Sequence, residues 1–217
     1  MHPKPPHPIP LHLYIVDDDE AVRRALGSLL RSRLSDCAIQ SFDSGEAFLG
    51  SAALDASGVL VLDLRLQGMS GLDVFQALQQ RASPLVVVFL SGHGDIPVAV
   101  RAMQEGAVSW LEKPCSDERL LQTVQHALQR ASASAVARRA RLHALQLWAR
   151  VTAREKQVAP LVAQGLSSKE SAQLLSQADP GNPIDYRTVE SHRARIFAKL
   201  EVANSNALLV FLRDHGL

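Results

Sequence analysis

The 217-residue sequence predicts an α/β unit built on a five-stranded, doubly wound parallel sheet, followed by a helical linker and an all-α unit of four short helices. Three observations carry this prediction. Gly58-Val-Leu-Val-Leu-Asp63-Leu-Arg65 is an uncharged apolar run ending in one acid, flanked by Gly58 and Gly68. Such a run reads as a strand buried on both faces, the signature of a parallel sheet, rather than an alternating half-exposed one. A second apolar run, Leu11-His-Leu-Tyr-Ile-Val16, also ends in acid, at Asp17-Asp18-Asp19-Glu20. Beyond residue 150 the signals change to helix starts: Thr152 with Glu155 and Ser167 with Glu170 are both capping boxes.

In chain order, the leading ten residues hold five prolines and no hydrophobic core like that of a signal peptide, so they read as an extended, disordered tail. After the first strand, residues 21–33 carry Val22, Leu26, Leu29 and Leu30, with Leu34 just beyond, as one helical stripe. Cys37–Phe42 reads as a short strand, and Ser44 caps the helix that follows. The Asp63 strand comes next, then a helix over 72–81 and the strand 85–90, which runs into Ser91. Pro97 is tolerated in the first turn of a helix over 96–104. Residues 108–111 form the fifth strand, followed by Glu112-Lys113-Pro114 and a helix from Asp117. This alternation implies right-handed crossovers around one parallel sheet. The carboxyl ends of the strands then gather Asp17, Asp18, Asp63, Ser91 and Lys113 on the edge where open α/β sheets bind ligands.

Charge is divided along the chain. Residues 1–129 hold 10 Lys and Arg against 15 Asp and Glu, whereas residues 130–217 hold 13 against 7. An acidic front and a basic back suggest cation and phosphate chemistry first and nucleic acid second. Cys37 and Cys115 show no metal spacing and imply free thiols in a reducing cytosol, and no apolar run spans a bilayer. Three carboxylates from two neighbouring strands repel one another unless a hard cation joins them. Mg²⁺ suits them, because it takes one or two carboxylates and keeps positions for water and phosphate oxygens. The outline is a phosphoryl-transfer site.

Val16-Asp17-Asp18, Asp63, Ser91 and Lys113-Pro114 together resemble the receiver domain of two-component response regulators. Leu62-Asp63-Leu-Arg65, Met69-Ser-Gly71 and Ser91-Gly-His-Gly-Asp-Ile-Pro-Val-Ala-Val100 resemble the FixJ/NarL type in particular. The resemblance implies a flavodoxin/CheY-like fold in which Asp63 accepts a phosphoryl group from a sensor histidine kinase. It implies Mg²⁺ on Asp17, Asp18, an Asp63 oxygen and the backbone carbonyl of Arg65, with Lys113 on the phosphoryl oxygens. It also makes Ser91 and Trp110 the switch pair: the hydroxyl moves toward the phosphoryl group and the aromatic side chain fills the space behind it. Trp110 is larger than the Phe or Tyr usual there. His93, between two glycines, reads as a loop residue, and Cys115 as a small core residue.

Residues 117–150 read as helix almost without break, with apolar positions at Leu120, Leu121, Val124, Ala127 and Leu128, then Val136, Leu142, Leu145 and Trp148. A domain boundary falls in the Ala/Ser run at 131–136; propensity leaves open whether the helix continues through it or breaks there. Thr152-x-Arg-Glu, Gly165-Leu-Ser-Ser-Lys-Glu170, Arg187-Thr-Val-Glu-x-His-Arg193 and Lys199-Leu200 resemble the LuxR-type helix-turn-helix domain. Three features depart from that family: Pro160 should bend or break the first helix, Ser171 replaces an apolar residue, and several residues are inserted within 176–185. The third helix, over 188–200, buries Val189, Ile196, Phe197 and Leu200. Its other face leaves Glu190, Ser191, Ala194 and Arg195 as candidates for the major groove, with Arg195 and Ser191 reading bases. Lys169, Arg187, Thr188 and Lys199 flank it as candidates for phosphates.

The domain reading is therefore a tail at 1–10, a receiver at 11–130, a helical linker at 131–149 and a DNA-binding domain at 150–217. The expected protein is a cytoplasmic transcriptional regulator, not an enzyme beyond its own phosphorylation and slow dephosphorylation. Its expected partners are a sensor histidine kinase, double-stranded DNA, a second copy on phosphorylation, RNA polymerase as a further candidate, and no membrane. Two alternatives stand beside it: a DNA-binding regulator independent of phosphorylation, and a Mg²⁺-dependent aspartyl-phosphate phosphatase. Against the second, Arg65 occupies the position where such phosphatases carry an acid.

Overall fold

A computed structural model describes residues 11–34, 37–50, 52–92 and 96–217. The Pro-rich tail and His93 lie outside the described residues. The chain divides into two compact units that meet between Ala137 and Arg138.

The first unit alternates strand and helix: β1 (Leu11–Val16), α1 (Glu20–Arg33), β2 (Cys37–Phe42), α2 (Gly45–Leu49), a 3₁₀ turn (Ala52–Asp55), β3 (Gly58–Asp63), α3 (Gly71–Gln80), β4 (Leu85–Ser91), α4 (Ile96–Gln104), β5 (Ser109–Glu112) and α5 (Asp117–Ala149). The strands form one sheet in the order β2-β1-β3-β4-β5, with every pair parallel. Successive residues of each strand serve two cores. Leu13, Ile15, Val59, Val61, Val88 and Leu90 face one side, with α1 and α5 residues such as Leu30 and Val124. Tyr14, Val16, Leu60, Leu62, Val87 and Phe89 face the other, with Phe48 of α2 and Val74 and Phe75 of α3. Burial on both faces is why these strands are apolar throughout rather than alternating.

Strand and helix boundaries move by a residue or two from those expected. β5 begins at Ser109 because Val108 already donates its amide to Val87 outside the strand proper. α3 starts at Gly71 because Ser70 and Asp73 form a reciprocal capping box. α5 runs as one helix from Asp117 to Ala149, so the Ala/Ser run does not break it. No glycine or proline interrupts it, and alanine is the best helix former. Val136, Leu142 and Leu145 are exposed on it, so the apolar stripe expected there is not a buried one.

The second unit holds the end of α5 with α6 (Ala153–Ala163), α7 (Ser168–Ala178), α8 (Tyr186–Leu200) and α9 (Ser205–His215). Val158, Val162, Ala172, Val189, Ile196, Leu200, Leu208 and Leu212 form its core. Both expected capping boxes are present, and Gly165 adopts the left-handed conformation (φ 82°) suited to a helix end. Of the bend or break expected at Pro160, the break does not occur: α6 continues through it. Pro160 is exposed and only three residues from the helix end, where the lost bond is the one to the exposed Lys156. α7 extends to Ala178, and α8 opens two residues early because Asp185 accepts the Thr188 amide as N-cap.

Candidate functional site

The site lies at the carboxyl end of the sheet, between β1 and β3, where strand order reverses and a crevice opens. Val16 pairs with Leu62, so the next residues, Asp17 and Asp63, leave the sheet side by side. Asp17 is 1% and Asp63 8% exposed, while Asp18 is half-buried. One carboxylate oxygen from each of the three lies within 4.8 Å of the others. The Lys113 ammonium bridges the two buried acids, 2.5 Å from Asp17 Oδ2 and 2.8 Å from Asp63 Oδ2. Its backbone is tied too, since the Lys113 amide donates to the Ser91 carbonyl at 2.7 Å and carries the β4–β5 ladder one residue further.

Several backbone groups hold these acids in place. The Asp19 amide donates to Asp17 Oδ1 at 3.0 Å, and Arg23 Nη1 donates to the Asp17 carbonyl at 2.7 Å. The Arg65 amide donates to Asp63 Oδ1 at 3.2 Å. The loop carrying Arg65 is held at its far end by Glu46, whose Oε1 accepts the Met69 amide at 2.9 Å. Gly71 lies so close beneath the pocket that a Cβ there would sit 2.2 Å from the Asp63 carbonyl oxygen and 2.9 Å from Leu64 Cα.

Burial pushes the Asp17 carboxyl above its ordinary value, against the lowering effect of Lys113. For Lys113, burial disfavours the ammonium, but the two carboxylates outweigh it and hold its pKa above the usual lysine value. Three carboxylates and one ammonium leave two negative charges uncompensated when all are ionised. The donor set is all oxygen, which fits a hard divalent cation such as Mg²⁺ and offers nothing to a soft one. Ser91 is fully buried at the end of β4. Trp110 on β5 is half-buried, its ring 5.4 Å from that of Phe89.

On the second unit, Lys169, Arg187, Thr188, Glu190, Ser191, Ala194 and Arg195 are all exposed. Helical periodicity places Arg187, Ser191 and Ala194 along the face opposite the buried Val189, Ile196 and Leu200. No ion pair joins Arg195 to Glu201 among the described residues. Lys199 has a partner that the sequence did not suggest: its ammonium is 2.6 Å from Glu155 Oε2, and the Glu155 side chain is 2% exposed, so Lys199 neutralises a buried acid. The same Glu155 Oε2 accepts the Thr152 amide at 2.8 Å, so the capping box and the ion pair share one oxygen. Sequence reasoning also passed over Tyr186. It is 38% exposed, with the Lys169 Nζ 5.9 Å and the Arg187 guanidinium 5.8 Å from its ring centre. An aromatic residue directly after a Pro/Gly-rich loop and next to an arginine was the available signal.

Comparison with known proteins agrees in both units. Residues 13–125 match the response regulator receiver domain, and residues 149–212 match the bacterial regulatory proteins of the luxR family. The chain is 38% identical over 200 residues to the tetrathionate response regulatory protein TtrR of Salmonella typhimurium, covering 91% of this chain and 89% of that one. It is 34% identical over 201 residues to the transcriptional regulatory protein FixJ of Bradyrhizobium diazoefficiens, covering 93% of each. Among solved structures, the response regulator StyR superposes with a TM-score of 0.82 at 35% identity, over 94% of this chain and 98% of that one.

Proposed function

Because the chain belongs to the response regulators that join a receiver domain to a LuxR-type DNA-binding domain, we propose that it is a phosphorylation-dependent transcriptional regulator switched at Asp63. The observation that carries this reading is the Lys113 ammonium shared between Asp17 and Asp63 at the β1/β3 crevice. An Asp63 oxygen attacks the phosphorus of a phosphohistidine on a sensor kinase. The O–P bond forms as the N–P bond breaks, and the imidazole leaves. Such a transfer needs alignment and charge neutralisation more than covalent chemistry from the protein. Mg²⁺ held by Asp17, Asp18, Asp63 and the Arg65 carbonyl would neutralise phosphoryl charge there. Lys113, already within reach, transfers its ammonium from the Asp63 carboxylate to the phosphoryl oxygens.

The product adds about two negative charges and three strong acceptors at Asp63. Ser91 can donate its hydroxyl to one of them, and Trp110, its ring tilted against that of Phe89, takes the space released. The resulting change around α4 and β5 favours pairing of two receivers, where Val100 and Met103 are exposed; the Val98 side chain, on the same helix, lies outside the described residues. The protein acts in the cytoplasm on double-stranded DNA, with no turnover chemistry beyond Asp63; no helix among the described residues is long and apolar enough to cross a membrane.

Incubation with acetyl phosphate and a magnesium salt should add one acid-stable, base-labile phosphoryl group, read by intact mass, and convert monomer toward dimer in sedimentation. Asp63→Asn should abolish both. Labelling of Asp63→Asn at the wild-type rate would overturn the assignment.

A further inference from the structure

The inserted segment between α7 and α8 is tied down on both sides. The Ile184 amide donates to Ser176 Oγ at 3.0 Å, and that hydroxyl donates back to the Ile184 carbonyl at 3.3 Å. Arg154 Nη2, from α6, donates to the Asn182 carbonyl at 2.8 Å. Asp185 closes the segment by capping α8 through the Thr188 amide at 2.8 Å. The chain therefore enters α8 along a defined path, with Tyr186 as the first helical residue.

At that position the phenol ring is approached by two cations from different helices. The Lys169 ammonium from α7 and the Arg187 guanidinium from α8 each lie within 6 Å of its centre, and Arg187 Nε donates to the phenol oxygen at 3.2 Å. Both cations are exposed, and neither forms an ion pair with a carboxylate among the described residues. Asp185, two residues before Arg187, caps α8 through the Thr188 amide and feels the Arg187 amide and charge more weakly, without an ion pair to the guanidinium among the described residues. A ring face attracts a cation without cancelling its charge, as a carboxylate would. Two long, rotamer-rich side chains are thus gathered on one side of the helix pair with their positive charge intact.

We infer that Tyr186 is a positioning residue that holds Lys169 and Arg187 against the phosphodiester backbone of duplex DNA, widening the contact made by α8 through the inserted segment. This rests on the DNA-binding reading of the second unit. The partner is specified by charge alone: backbone phosphates, bound without regard to base sequence. Phosphate contacts of this kind raise affinity for all duplexes alike and steepen its salt dependence.

The test uses the full-length protein and a labelled random-sequence duplex, with affinity measured across a salt series and thermal unfolding in parallel. Tyr186→Leu should weaken binding about three- to tenfold and flatten the salt slope by about one to two units, at an unchanged melting temperature. Tyr186→Phe keeps the ring for Lys169 but removes the oxygen that accepts from Arg187, so its affinity and slope should fall between wild type and Tyr186→Leu. In a Lys169→Ala/Arg187→Ala background, Tyr186→Leu should have no further effect, which keeps the test valid if the single variant is less stable. Wild-type affinity and slope in Tyr186→Leu would overturn the proposal. So would a further loss from Tyr186→Leu in the Lys169→Ala/Arg187→Ala background, which would mean that Tyr186 acts other than through those two cations. Failure of the wild-type protein to bind any duplex at low salt would instead overturn the DNA-binding reading beneath it.

Discussion

Replacing Lys199 by methionine keeps the aliphatic stem and removes the ammonium that faces Glu155. The Glu155 side chain is 2% exposed and its carboxylate then keeps Thr152 but no cation. Stranding a fully buried charge costs about 3–5 kcal/mol, but the Lys199 side chain is 29% exposed, and solvent screening reduces this to about 2 kcal/mol. For a unit of this size that is a fall of about 8–16 °C in melting temperature. The pH dependence has a definite sign. Burial pushes the Glu155 carboxyl up, yet Lys199 and the Thr152 amide and hydroxyl outweigh it, so its pKa in the folded protein is below the ordinary 4.5. A carboxyl depressed by folding stabilises above its unfolded value and loses that contribution as pH falls through the folded one. The gap between Lys199→Met and wild type should therefore be full at pH 7 and close below pH 4.5. Calorimetry of the full chain, read on the transition of the helical unit, measures both. A Glu155→Gln/Lys199→Met pair should recover part of the loss. If Lys199→Met instead kept the wild-type melting temperature while its DNA binding lost a unit of salt slope, Lys199 would be a phosphate contact and the ion pair unimportant.

Three further outcomes are expected. Mg²⁺ should stabilise the wild-type receiver unit by about 2.7 kcal/mol at a hundred times its dissociation constant, and Asp18→Ala should remove that gain; an equal thermal shift in the variant would take Asp18 out of the metal site. Arg195→Ala should reduce the preference for a selected operator over random duplex by roughly 1–3 kcal/mol, and an unchanged ratio in footprinting would end its base-reading role. Ser171 is fully buried and its hydroxyl has no partner among the described residues, so Ser171→Ala should raise the stability of the helical unit by about 1 kcal/mol; a lower transition temperature would show that the hydroxyl is bonded.

The acidic crevice was legible because two strands apolar on both faces each end in acid, a coincidence that a turn or cap at one of them alone would not explain. Asp17 and Asp63 announce themselves in this way, and strand alternation brings them and Lys113 to one edge. Ser70 and Asp185 were less visible as caps, each sitting beside loop residues with turn chemistry of their own. The Lys199 ion pair was not legible because its partner, Glu155, is 44 residues away and already had a sufficient role in a capping box. Pro160 misled for a different reason: a proline one turn from a helix end, on an exposed face, costs far less than one in mid-helix. The linker stripe at Val136, Leu142 and Leu145 shows the limit of periodicity, which reports which residues share a face but not whether anything covers it.

The contact between Gly71 and the Asp63 backbone bears on how such a pocket decays over evolutionary time. Every single-nucleotide change in a glycine codon that yields another amino acid places a carbon where the Asp63 carbonyl oxygen already lies, 2.2 Å away. No side chain can be accommodated without moving either the strand end or the first turn of α3. Drift at this position would displace the Asp63 carboxylate while leaving all the acids, the lysine and the serine in the sequence. An inventory of intact site residues is therefore not sufficient to certify a working pocket in a diverged relative. The residue to inspect beside Asp63 is one that carries no chemistry at all.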